Sequence, residues 1–116
     1  NVLEWNLSSN PQLTPYTDRG GCDRCLGAIT IDGNTVTRNP AYYVIAHASK
    51  FVRPGSYRIQ SNYIDSLPNV AFVTPSGQKV LIVQNDKKEA QAFSIRHKGQ
   101  ELRTSLSAGA VGTYVW

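Results

Sequence analysis

Methionine is absent from the 116 residues, and the first residue is Asn. A chain translated as written begins with Met, so this start points to a piece of a longer polypeptide, and the missing leader segment says nothing about secretion. No apolar run approaches the roughly 20 residues that a membrane helix needs, which excludes a spanning helix. The apolar stretches Val70 to Val73 and Val80 to Val83 have strand length. Charge is also scarce at 17%, and the formal net charge of +4 is not gathered into a patch. Only Lys87 and Lys88 are adjacent, beside Asp86 and Glu89, which argues against a nucleic-acid partner. The one Cys-x-x-Cys supplies two thiolates, and no second Cys pair or nearby His completes a four-ligand structural zinc site.

What remains is a small globular chain with six Tyr, three Phe and two Trp, enough apolar surface to offset the entropy of ordering. Val2 to Leu7 has strand composition and stops at the turn formers Ser8-Ser9-Asn10-Pro11. From Asn10 to Gly27 no apolar period is present, so a long irregular loop is expected. Ala28 to Ile31 and Thr35 to Thr37 read as a hairpin turned at Asp32-Gly33-Asn34. One helix follows, with Asn39 as cap, Pro40 at its first position, and Tyr43, His47 and Phe51 on one stripe before Pro54-Gly55 ends it. Beyond it the period is two. Strands are expected at Tyr57 to Asn62, Val70 to Thr74, Lys79 to Gln84, Gln91 to Arg96, Glu101 to Leu106 and Thr113 to Trp116, a spacing that indicates an antiparallel sandwich or barrel.

Few residues invite chemistry. Of the eight carboxylates, Asp32, Asp65, Asp86 and Glu89 fall in turns or at strand ends, where carboxylates are normally solvated, and nothing sets two of the eight across one pocket as sugar hydrolysis requires. His47, on the helix stripe, reads as a packed and hydrogen-bonded histidine rather than a ligand or base, and His97, at a strand end, as exposed. Cys22-Asp23-Arg24-Cys25 admits a loop-stapling disulfide, free thiols, or metal or redox chemistry. The disulfide reading implies an oxidising compartment. Trp5 fits either a core position or a platform for a sugar ring, and the Tyr42-Tyr43 pair reads as packing.

Several stretches together resemble one family. Glu4 to Leu7 (Glu-Trp-Asn-Leu), Gly20 to Gly27 around the cysteines, Tyr42 to Ser56, Asn69 to Phe72 and Val80 to Asn85 are similar to the C-terminal part of glycoside hydrolase family 30, which includes the glucosylceramidases. That resemblance implies a mostly β fold: an antiparallel β-sandwich over residues 54–116, preceded in 1–53 by the last strand (Val2 to Leu7), active-site loop and last helix (Pro40 to Phe51) of a TIM barrel. It implies a retaining β-glycosidase hydrolysing β-glucosidic bonds, secreted or periplasmic, with lysosomal or extracellular relatives.

The two catalytic glutamates of such enzymes lie on earlier barrel strands, so the resemblance places no catalytic residue in this chain and leaves Glu4 unassigned. It makes Trp5 a sugar-contacting aromatic and turns the Tyr43, His47 and Phe51 stripe toward a barrel. The Gly-Gly-Cys stretch departs from the Gly-Gly-Pro form of some members, which bears on loop shape and subsite. No cofactor or metal is implied. The partners are a β-linked glucoside or related glycan, met through the intact enzyme, and the missing N-terminal barrel portion. The alternative is a stand-alone carbohydrate-binding or interaction β-sandwich, which needs a row of exposed aromatics. Tyr57 and Tyr63 are its candidates, whereas Phe72, Phe93, Tyr114 and Trp116 read as core-directed.

Overall fold

The structure, a computed structural model, describes residues 4–16 and 18–116. Val2 and Leu3, the start of the first expected strand, lie outside the described residues. The chain divides into two compact units, Asn1–Ala46 and His47–Trp116.

In the first unit, β1 (Ser8–Ser9) pairs in parallel with β2 (Ile29–Asp32), and β2 pairs antiparallel with β3 (Thr35–Arg38). The strand expected at Val2 to Leu7 is therefore displaced. Glu4 to Leu7 carry no strand, and regular pairing begins only at Ser8. Two backbone bonds nevertheless run ahead of it, from Ala28 N–H to Asn6 O and from Ile29 N–H to Leu7 O. The β2–β3 hairpin turns on Gly33 and Asn34, with Gly33 at φ 55°, a left-handed conformation that costs glycine least. Between the first two strands, the described residues of 10–27 hold turns and no regular element. Asn10 Oδ1 organises the first of those turns by accepting from Gln12 N–H and Thr14 N–H.

Helix α1 (Pro40–Phe51) has the expected limits. Pro40 supplies a fixed φ where no amide donor is missed, and the Asn39 carbonyl accepts Tyr42 N–H at 3.0 Å. The Asn39 side chain serves elsewhere: its Nδ2 donates to Gly27 O at 2.7 Å and to Thr30 Oγ1 at 2.9 Å. No residue of α1 is buried. Tyr43 is 54% exposed, and His47 and Phe51 are half-buried.

The second unit contains a four-stranded antiparallel sheet in the order β4 (Tyr57–Ile59), β5 (Asn69–Val73), β6 (Lys79–Gln84) and β9 (Val111–Val115). A separate hairpin joins β7 (Gln91–His97) to β8 (Gln100–Leu106) through Lys98 and Gly99. Strand β4 stops three residues short of expectation because its ladder ends where Ile59 meets Ala71.

Directly opposed residues share a face. Ala71, Leu81 and Tyr114 therefore project from one side of the large sheet, and Phe72, Val80 and Val115 from the other. Tyr114 meets Phe93 of β7 edge-on at 5.9 Å between ring centres, so the hairpin lies over the first face and the unit has two β layers. Thr113, on the second face, is 2.8 Å through its Oγ1 from Nδ1 of His47. That contact realises the hydrogen-bonded role read for His47. The apolar core of this unit is small: Leu67, Ala71, Val80 and Val83 are buried, with Val80 1% exposed.

Candidate functional site

The residues singled out for sugar contact and for the thiol motif both fall in the first unit. Trp5 is 71% exposed, and the backbone just after it is held by bonds from Ala28 N–H to Asn6 O and from Ile29 N–H to Leu7 O. Its neighbours form a polar clamp. Gly27 N–H donates to Ser9 Oγ at 3.3 Å, Gly27 O accepts from Asn39 Nδ2, and Ala28 O accepts from Asn39 N–H at 2.9 Å. Ser9 and Asn39 are both buried, so these bonds are shielded from water and hold the strand ends in one arrangement. Such a frame presents an exposed indole on an anchored backbone, an arrangement able to stack against an apolar ring face.

In the loop ahead of Gly27, Cys22 and Cys25 are joined, their Cα atoms 5.5 Å apart. Between them, Arg24 and Asp23 form a 3.8 Å ion pair in which both side chains are exposed, a contact of little energetic weight.

All eight carboxylate residues are exposed. The best-ordered one, Glu101 on β8, accepts from Ser94 Oγ at 2.8 Å and pairs with Arg103 at 3.1 Å and Arg96 at 3.3 Å. The Ser94 hydroxyl first, then Arg103, hold its carboxyl below the ordinary carboxylate value, against an opposing desolvation, with Arg96 adding to the lowering. An acid kept ionised in this way is in the wrong state to protonate a leaving group. Among the described residues, no group of three or more His, Cys, Asp or Glu is arranged to hold a metal ion.

Three side chains differ from expectation. His97 is half-buried rather than exposed, because its Nδ1 accepts the Trp116 indole N–H at 3.3 Å and the two rings meet edge-on. Trp116, read as core-directed, is 42% exposed. Tyr63 is 87% exposed but lies outside any strand, its hydroxyl 3.2 Å from Asp65, so it forms no row with Tyr57 on one sheet face. Sequence reasoning missed the Gly27–Asn39 clamp altogether; the signal was there in a Gly immediately before an apolar strand, a sign of close backbone approach.

The two β layers of the second unit define an antiparallel β-sandwich. Residues 55–114 match the glycosyl hydrolase family 30 beta sandwich domain, and the chain belongs to that family. It is 34% identical over 121 aligned residues to endo-1,6-beta-D-glucanase neg1 of Aspergillus fumigatus, covering 98% of this chain and 25% of that protein. Against lysosomal acid glucosylceramidase of Mus musculus it is 29% identical, covering 97% of this chain and 22% of the relative. The solved structure of an endo-beta1,6-glucanase superposes with a TM-score of 0.83 at 27% identity, over 97% of this chain and 26% of that one. The chain thus spans about a quarter of the length of the relatives it matches. Among the described residues, no helix is long and apolar enough to cross a membrane.

Proposed function

We propose that this chain is the C-terminal portion of a retaining β-glycosidase that hydrolyses β-glucosidic bonds. In this reading residues 1–53 are the last strand, active-site loop and last helix of a (β/α)8 barrel, and residues 54–116 are its sandwich. The observation that carries it is the family match over 55–114. The chain supplies structure and pocket lining, while the general acid and the nucleophile, two glutamates about 5–5.5 Å apart in a retaining enzyme, belong to the part of the polypeptide upstream. Trp5 stacks its exposed indole on a pyranose face, where the axial C–H bonds form an apolar patch.

The names of the relatives divide between β-1,6-glucan and glucosylceramide. Higher identity to the Aspergillus glucanase, together with the solved endo-beta1,6-glucanase, supports β-1,6-glucan as the substrate. A bond between Cys22 and Cys25 suits an extracellular or other oxidising compartment.

The test uses the full polypeptide that carries this chain. It is assayed on a linear β-1,6-glucan and on glucosylceramide, with the first-formed anomer followed by proton NMR. Hydrolysis of the glucan with the β-anomer appearing first is expected. The α-anomer appearing first, or turnover of an aryl β-glucoside by the 116-residue chain alone, overturns the proposal.

A further inference from the structure

We propose that Gly27 and Asn6 form a slot that positions the Trp5 indole for sugar stacking, making them positioning residues for substrate binding. A Cβ at position 27 would stand 2.6 Å from Asn6 Oδ1, 2.7 Å from Ser8 Cα and 2.8 Å from the Ser8 carbonyl carbon. Two of these three neighbours are backbone atoms, which cannot swing aside as the end of a flexible side chain does. Only glycine lets the segment after Trp5 lie this close to the entry of β2.

The slot is occupied by an amide that gains little from being there. Asn6 Oδ1 is buried and has no hydrogen-bond partner among the described residues. A buried acceptor left unpaired costs stability, so the position is not explained by stability. It is explained if the side chain acts as a spacer. Asn6 O and Leu7 O are tied to Ala28 N–H at 3.1 Å and Ile29 N–H at 3.0 Å, while the Asn6 side chain sets how near the two backbones come. Trp5 immediately precedes Asn6, and its ring direction follows from that spacing. Ser9 Oγ accepts the Gly27 N–H and Asn39 Nδ2 donates to the Gly27 carbonyl, so the slot cannot widen without breaking buried bonds.

The inference rests on the proposed sugar-stacking role of Trp5, and the experiment separates the two. Gly27→Ala, Trp5→Ala and the double variant are made in the full polypeptide and their kcat and KM measured on β-1,6-glucan. The 19F resonance of 5-fluorotryptophan at position 5, assigned by its loss in Trp5→Phe, is recorded in parallel. Gly27→Ala is expected to shift that resonance and to raise KM about tenfold, since displacement of a positioned group by about 1 Å costs that much or more. In the Trp5→Ala background the same change should add little, because the group it positions is gone. An unmoved resonance, or equal fold-losses in both backgrounds, overturns the inference. A moved resonance with KM unchanged in both single variants leaves the slot standing and removes the stacking role of Trp5. Should Gly27→Ala not fold, Asn6→Ala, which empties the slot without adding a clash, carries the same measurements with the same expected shift.

Discussion

Asn85 is the residue on which the second unit should prove most dependent. It is fully buried, at 0% exposure, just past the end of β6. Its Nδ2 lies 2.7 Å from Glu89 O, 3.0 Å from Leu106 O and 2.9 Å from Ser107 O, and its Oδ1 accepts Lys87 N–H at 2.9 Å. Two N–H groups cannot make three full bonds, so the side chain is counted as three bonds rather than four. At about 1 kcal/mol each, Asn85→Ala should cost about 3 kcal/mol, a large share of the roughly 5–15 kcal/mol that holds a typical domain folded.

Asn85→Asp is the sharper variant, since it keeps the shape but replaces donors with an acceptor facing three carbonyls. Its carboxyl is ionised at neutral pH and repelled by those oxygens, so its folded pKa lies above the unfolded one. Its damage is therefore greatest at neutral pH and shrinks as the pH falls and the carboxyl takes up a proton. Urea unfolding, followed by far-ultraviolet circular dichroism at neutral and acidic pH, reads both effects. A loss below about 1 kcal/mol for Asn85→Ala at unchanged m-value, or an Asn85→Asp penalty independent of pH, would refute the reasoning.

Other expectations are simpler. Val80→Ala removes two methyl groups from the best-buried aliphatic side chain and should cost about 2–3 kcal/mol including the cavity, read as a fall in the urea midpoint. Glu101 has a folded pKa below its ordinary value of 4.5, so its contribution is present at neutral pH and is lost as the pH falls through the folded value. Glu101→Gln should accordingly flatten the acid limb of the stability–pH curve and leave the alkaline limb unchanged; an unaltered acid limb counts against the ion cluster. Native, unreduced protein should take up no maleimide at Cys22 or Cys25 and should take up two labels after reduction, as counted by intact mass.

The parts of the fold legible in the sequence are those where local chemistry and pairing coincide. Lys79–Gln84 and Pro40–Phe51 have the expected limits, because an apolar strand is bounded by turn formers and an amphipathic helix by Pro40 and Gly55. The first strand was not legible. Its pairing is decided by backbone contact with β2 at Ser8 and Ser9, polar residues whose composition signals a turn, while Glu4 to Leu7 make two backbone bonds to Ala28 and Ile29 among the described residues.

The candidate site divides the same way. Trp5 and the cysteine pair stand out by residue type alone, whereas Gly27 matters through what a Cβ would touch; a Gly before an apolar strand signals close approach but not which residues approach. The exposures of His97 and Trp116 were misread for a related reason. They depend on one another, through a side-chain contact between β7 and the residue after β9, segments that pair in different sheets.

The route of the chain through the large sheet has a kinetic consequence. Strands β4, β5 and β6 follow one another, each pairing with its predecessor, but β6 finds its other neighbour, β9, only after the excursion through residues 85–110. Closing a loop costs more as it lengthens, by about 0.6 kcal/mol per doubling. The β7–β8 hairpin, turned on Lys98 and Gly99, can form within that excursion and shorten the free chain to be closed. Asn85 grips Glu89 O on the way out and Leu106 O and Ser107 O on the way back, with its own N–H bonded to Ala110 O at 2.8 Å. It sits at the neck of the excursion. The order of assembly that this topology favours is hairpin first, neck second, and the β6–β9 seam last, so a weakened neck should slow the arrival of β9 as well as loosen the finished sheet.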